Sequence, residues 1–275
     1  MSTPRKIAVI LGTGPGLATS IASLLTPTHS LVLLSRSLPG SLSSLPLPKI
    51  DPSNILALSS DGSPDSLKIA FEEMDKKWPN AKVDVGIYNV NAKFDLRGFL
   101  EKSEADLRTG LEAGVVTGWS FAQAIIPRFL ANPAPSTLSS QDKASREGRG
   151  TLLFTGATMS LKAGAQFSSL APGMFARRAL AQSLAREFSP QGVHVAHVII
   201  DAVMDTPPVQ QWMGEDTEGK RMRTDEAAQV YLDLINQKRS AWTHEIDLRR
   251  VVQLFCLMLK RILTNSDIRP DVEKW

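Results

Sequence analysis

An apolar run, Ile7–Leu11, passes without interruption into Gly12-Thr13-Gly14-Pro15-Gly16-Leu17-Ala18. No other feature constrains the chain as much, because it demands a strand, a tight turn and a helix in that order. Glycine is needed where backbone must approach a pyrophosphate closely, and the N-terminus of the following helix offers N–H donors and a positive dipole. The spacing fails G-x-G-x-x-G, since Leu17 stands at the third glycine. It fits G-x-x-x-G-x-A through Gly12, Gly16 and Ala18. A purely structural turn is the competing reading.

Similar apolar runs recur at Ser30–Ser35, Ile55–Ser59, Val83–Tyr88, Thr151–Thr155 and His194–Ile200. Such near-continuous stretches suit strands buried on both faces of a parallel sheet. Helical patterns lie between them, at Leu17–Leu25, Ser66–Trp78, Glu104–Leu130 and Met174–Phe188. Ser63 and Pro64 open the second as N-cap and first helical residue, and Pro79 closes it. The alternation predicts an α/β fold, a doubly wound parallel sheet of the Rossmann type, in a single domain over residues 1–249. Ser37–Pro48 is Ser/Pro-rich and predicts a loop where a crossover helix is expected; Asn132–Gly150 is a long polar excursion, read as a disordered surface loop with a lid as the alternative. Ser240–Arg249 reads as the last strand. Residues 250–275 form a C-terminal extension in which Arg250–Asn265 is an apolar helix, its Leu254, Leu257, Met258 and Ile262 set to cover a subunit contact or the substrate cleft.

Composition narrows the classes. Hydrophobic residues at 43% and charged residues at 21% exclude a disordered chain. The 31 Lys+Arg exceed the 28 Asp+Glu by only 3, too little to argue for a nucleic-acid partner. Cys256 is the single cysteine, so an intrachain disulfide and Cys-rich zinc sites are excluded, and no His/Cys/Asp/Glu cluster has metal-ligand spacing. The N-terminal apolar run is shorter than the roughly 7–15 residues of a signal core. No stretch approaches the roughly 18 residues of a membrane span. A soluble cytoplasmic protein with no membrane partner and no metal is expected.

The second strand ends in Ser35-Arg36. A site for NAD usually places an acid there to hold the ribose 2′-hydroxyl, whereas an arginine pairs with a 2′-phosphate. The absence of the acid points to NADP(H), against the alternative of a solvated surface arginine.

With these residues the chain resembles the short-chain dehydrogenase/reductase family over roughly residues 5–249. Gly12–Ala18 is similar to the family's TGxxxGxG loop, with Leu11 and Ala18 as substitutions. Asp61 matches an aspartate that contacts adenine. Tyr88-Asn89-Val90-Asn91 stands where the family has Asn-Asn-Ala-Gly, and Ala181–Val198 resembles its helix-to-strand stretch. Asp201-Ala202 replaces Pro-Gly, and Thr206 matches a threonine near the nicotinamide amide. The resemblance implies an NADP(H) site formed by Gly12, Gly14, Gly16, Leu17, Ser35, Arg36, Asp61, Asn89, Val90 and Thr206.

The resemblance also implies a Tyr-x-x-x-Lys pair with a Ser and an Asn, the tyrosine giving a proton while the lysine lowers its pKa. Here Leu170 takes the tyrosine position, Met174 the lysine, Ala157 the serine, and Gly114 (Val115 if the helix is shifted) the asparagine. The two tyrosines, Tyr88 and Tyr231, restore the motif in no register. Thr155, Thr158 and Ser160 are candidates to hold a substrate oxygen. Tyr88 reads as core, and His194 and His197, at odd spacing, face opposite sides of the sheet. The catalytic residues are unknown from sequence. Three functions follow: an atypical NADP(H)-dependent oxidoreductase acting on a small apolar carbonyl or enoyl compound; a redox-inactive relative catalysing a cyclisation or isomerisation; or a non-enzymatic NADP(H)-binding protein. A small-molecule substrate and a homo-oligomer are expected for the first.

Overall fold

The computed structural model describes residues 5–92, 94–134 and 148–250. The Arg250–Asn265 helix and its four core candidates therefore lie outside the described residues, apart from Arg250 itself, and most of the 132–150 excursion does too.

Seven parallel strands form one sheet: β1 (Lys6–Leu11), β2 (His29–Ser35), β3 (Ile55–Ser59), β4 (Val83–Tyr88), β5 (Gly150–Ala157), β6 (Val193–Asp201) and β9 (Glu245–Arg249). Their order across the sheet is β3-β2-β1-β4-β5-β6-β9. Every residue of β6 is buried, as expected of a strand covered on both faces. On one face pack α2 (Pro64–Lys77), α4 (Thr117–Ala131) and α5 (Ala171–Phe188), through Phe71, Phe121, Phe129 and Leu180. On the other pack α1 (Leu17–Leu25) and α7 (Thr224–Ile235), through Ile21, Leu25, Tyr231 and Leu234. Strand order reverses between β1 and β4, so the carboxyl ends of these strands open the crevice where doubly wound folds bind ligands.

Local chemistry explains most of the elements. The Ser63 hydroxyl accepts the Ser66 N–H and Pro64 occupies the first turn, which starts α2. The serine- and proline-rich crossover from β2 to β3 holds only short 3-10 turns, Leu42–Ser44 and Pro52–Asn54, anchored by buried Leu38 and Leu45. The single helix expected over 104–130 is broken. It runs as α3 (Glu104–Leu111), a π turn (Glu112–Val116) and then α4. Two helices lie outside the four predicted patterns, α7 and the short α6 (Pro207–Met213). A two-stranded ladder, β7 (Met204–Asp205) with β8 (Met222–Arg223), ties together the ends of the segment that carries α6.

The histidines do face opposite ways. His194 stacks on Trp242 at 5.0 Å, with Nε2 2.9 Å from the Thr243 carbonyl. His197 is fully buried, its Nδ1 3.1 Å from Glu245 Oε2, while Arg178 donates to both oxygens of Glu245 at 2.7 and 2.6 Å. Burial pushes the His197 pKa from 6.5 down to about 4, outweighing the attraction of Glu245. Between those values the unfolded chain binds a proton that the folded chain does not, so stability rises with pH across that window and is complete above it. His194, also pushed down by burial, adds in the same direction. Urea unfolding should show a loss of about 2 kcal/mol or more on going from pH 7 to pH 4.5. His197→Gln should remove most of that slope; an unchanged slope would refute the assignment.

Candidate functional site

All ten residues assigned to the nucleotide from sequence line one cleft of about 350 Å³ at the carboxyl ends of β1, β2 and β4. Gly12 is required twice over. Its φ is +92°, and a Cβ there would stand 2.5 Å from the Asn89 backbone carbonyl. That contact locks the first turn to the end of β4, where the Asn89 N–H donates to the Leu11 carbonyl at 2.8 Å and its Nδ2 to the Gly12 carbonyl at 3.2 Å. Thr19 holds the loop from beneath, donating to the Gly14 carbonyl at 2.5 Å. Gly16 presses on Thr206, since a Cβ on it would meet Thr206 Cγ2 at 2.9 Å. Gly14 has open space where its Cβ would be.

Leu17 starts α1 behind Gly16, and no side chain caps that helix N-terminus nor is any first-turn residue acidic. Uncapped first-turn N–H groups facing a cleft suit a phosphate, so the loop fits the pyrophosphate of a dinucleotide. Arg36 is exposed at the outer end beside Ser35, and Asp61 is the one carboxylate lining the cleft. Hydrogen bonds from Ser63 and Ser66 hold Asp61 down at about pKa 2. The cleft opens into a second hollow of about 430 Å³ between the Ser37–Pro46 loop and α6, which shares Thr13, Gly14, Pro15 and Pro208 with it.

At the inner end the chemistry changes. Leu170, directly before α5, and Met174, one turn in, are buried with Met159, Phe167 and Ala171, and Ala92, Leu96 and Ala157 pack against them. The three hydroxyls suggested as substrate ligands are already engaged. Thr155 pairs with Tyr231 Oη at 2.7 Å, Ser160 is fully buried and accepts the Ala157 N–H at 3.2 Å, and Thr158 donates to the carboxylate of Asp201. Asp201 Oδ2 has no hydrogen bond, its nearest cation being Arg249 Nε at 3.4 Å.

Tyr88 is core, as its place at a strand end predicts, with its hydroxyl donating to the Ala113 carbonyl at 2.6 Å and pairing with Thr117. Burial raises its pKa. The residue that sequence reasoning misses is Arg177, fully buried on α5. It donates to the carbonyls of Gly114, Val90 and Ala113 at 2.7 Å and of Thr155 at 2.5 Å, and lies 4.7 Å over the Tyr88 ring. Among the described residues, no group of three His, Cys, Asp or Glu side chains is arranged to hold a metal, and no helix is long and apolar enough to cross a membrane.

The overall arrangement is shared with solved proteins. The chain has the short-chain dehydrogenase/reductase fold. A short-chain dehydrogenase from Rhodopseudomonas palustris is 25% identical, with a TM-score of 0.66 covering 89% of this chain and 98% of that one. An NADPH-bound short chain oxidoreductase from Pseudomonas aeruginosa PAO1 that contains an atypical catalytic center is 15% identical, at a TM-score of 0.71 over 89% and 97%. An alcohol dehydrogenase from Thermococcus sibiricus complexed with 5-hydroxy-NADP is 18% identical, at 0.67 over 90% and 97%. No family model and no curated protein matches the sequence. With 1722 solved chains alike, the likeness identifies a fold and not a substrate.

Backbone packing closes one route back to an ordinary site. A Cβ on Gly114 would lie 2.5 Å from the Gly173 Cα, and one on Gly110 would lie against the Ser169 carbonyl oxygen. The α3–π-turn segment thus touches the start of α5 backbone to backbone. Gly114→Asn should therefore destabilise the protein by about 2 kcal/mol or more through overpacking. Ala157→Ser, at a partly exposed strand end, should cost less than about 1 kcal/mol. Urea midpoints of both variants test this, and a Gly114→Asn variant as stable as wild type would overturn it.

Proposed function

We propose that this chain is an atypical NADP(H)-dependent oxidoreductase acting on a small apolar carbonyl or enoyl compound. The observation that carries the reading is the gathering of Gly12, Gly14, Gly16, Leu17, Ser35, Arg36, Asp61, Asn89, Val90 and Thr206 around one cleft, with Arg36 and no acid at the end of β2. In this reading the α1 N-terminus holds the pyrophosphate, Arg36 pairs with the 2′-phosphate, and Asn89, Val90 and Thr206 border the nicotinamide half. When bound, the cofactor supplies or accepts a hydride. Met159, Phe167, Leu170 and Met174 are buried together at the head of α5 and bring no polar group to that end of the fold, which favours an apolar substrate. With Leu170, Met174, Ala157 and Gly114 at the usual catalytic positions, the proton comes from water or from the substrate. Exposed Val116, Trp119 and Phe175, on the π turn, α4 and α5, support a homo-oligomer.

The same apolar inner end favours a second reading, a redox-inactive enzyme that confines its substrate for a cyclisation or isomerisation. NADPH consumption across a panel of carbonyl and enoyl compounds separates the two: turnover of cofactor supports the first, and product formation without it the second. Under either reading wild type should reduce ordinary ketones poorly, and vigorous reduction would refute the atypical centre.

Calorimetric titration tests the cofactor directly. Wild type should bind NADP(H) more tightly than NAD(H). Arg36→Ala should weaken NADP(H) by about 2 kcal/mol, the loss of a charge-assisted hydrogen bond, and leave NAD(H) nearly unchanged. Equal affinity of wild type for both nucleotides would sink the assignment.

A further inference from the structure

Arg177 is the largest fully buried side chain among the described residues, and it has no carboxylate partner there. Its four acceptors are backbone carbonyls, which are dipoles and carry no net charge. Burial lowers its pKa, but a guanidinium starts high enough to stay protonated inside a protein. The interior therefore holds a fixed positive charge with no carboxylate paired to it among the described residues. That charge opposes the burial-driven rise of the Tyr88 pKa and adds to the burial-driven fall at His197.

The position of that charge matters. Its Nη2 lies 2.7 Å from the carbonyl oxygen of Val90, and Val90 lines the cleft. Arg36 marks the opposite, β2 end of the same cleft. If the 2′-phosphate sits at Arg36, the nicotinamide lies over β4 and β5, on the Arg177 side. The oxidised ring carries one positive charge and the reduced ring none, while the rest of the nucleotide is the same in both forms.

We infer that Arg177 sets the redox preference of the bound nucleotide, disfavouring the cationic oxidised ring and so holding NADPH more tightly than NADP+. The inference rests on the NADP(H) reading above. It gives the inner end a charge where Met174, one turn earlier on α5, brings none. It also gives the site a direction, loading the reduced form for hydride delivery. A unit charge acting through a mixed protein–solvent environment over about 10 Å is worth roughly tenfold in affinity.

The dissociation constants of NADPH and NADP+ decide the matter without any substrate. Wild type should bind NADPH roughly tenfold more tightly or better. Arg177→Lys, which keeps the charge, should retain the ratio, and Arg177→Met should bring it towards one. The wild-type ratio needs no variant to fold: parity, or a preference for NADP+, overturns the inference. A folded Arg177→Met protein that keeps the wild-type ratio also overturns it. Failure to bind either nucleotide would instead sink the cofactor reading itself, so the two failures are distinguishable.

Discussion

The guanidinium of Arg177 joins elements that are distant in sequence and adjacent in space. Its four hydrogen bonds reach the loop after β4 at Val90, the π turn at Ala113 and Gly114, and β5 at Thr155, all from the middle of α5. The acceptors are buried or part-buried carbonyls, and Ala113 also accepts from the Tyr88 hydroxyl; leaving such a group unsatisfied costs about 1–3 kcal/mol. The π turn explains why such carbonyls are available. Widening the helix at Glu112–Val116 interrupts the regular ladder and turns backbone oxygens inward, where Tyr88 and Arg177 take them up. The helix irregularity and the buried cation thus belong to one arrangement, and the cleft floor at Val90 hangs from it.

The same arrangement bears on how the inner end is built. Gly110, Gly114 and Gly173 let the α3–π-turn segment rest against α5 with no side chain between them. An asparagine at Gly114 is incompatible with that distance. The buried apolar cluster of Met159, Phe167, Leu170 and Met174 then fills the space at the head of α5. Loss of polar groups here is coupled to packing, so the positions do not vary independently of one another.

Much of this was legible in the sequence, and the reasons differ from place to place. Strands of continuous aliphatic residues, the Ser63–Pro64 helix start and the glycine turn are local signals, and each produced its element. The cleft residues were legible because a strand–turn–helix and the carboxyl ends of neighbouring strands follow from topology. The π turn was not, because Glu112-Ala113-Gly114-Val115-Val116 has the composition of ordinary helix and only contact with α5 distinguishes it. Nor was Arg177, since arginine on a helix is exposed far more often than buried. α7 did carry a readable signal: Ala227, Ala228, Tyr231 and Leu234 repeat at helical spacing and are its buried residues.

The packing of α7 on α1 has a consequence for the order in which the protein can be completed. The Ser20 hydroxyl donates to Thr224 at 2.8 Å across 204 positions of chain, and the buried face of α1 rests on α7 along with the sheet. β9 closes the sheet beside β6 later still. During synthesis the glycine turn and α1 emerge well before the helix that covers them. Contacts of such wide sequence separation slow folding, and they leave an apolar α1 face uncovered until α7 has been made. The element that begins the cleft is among the last to be fully buried.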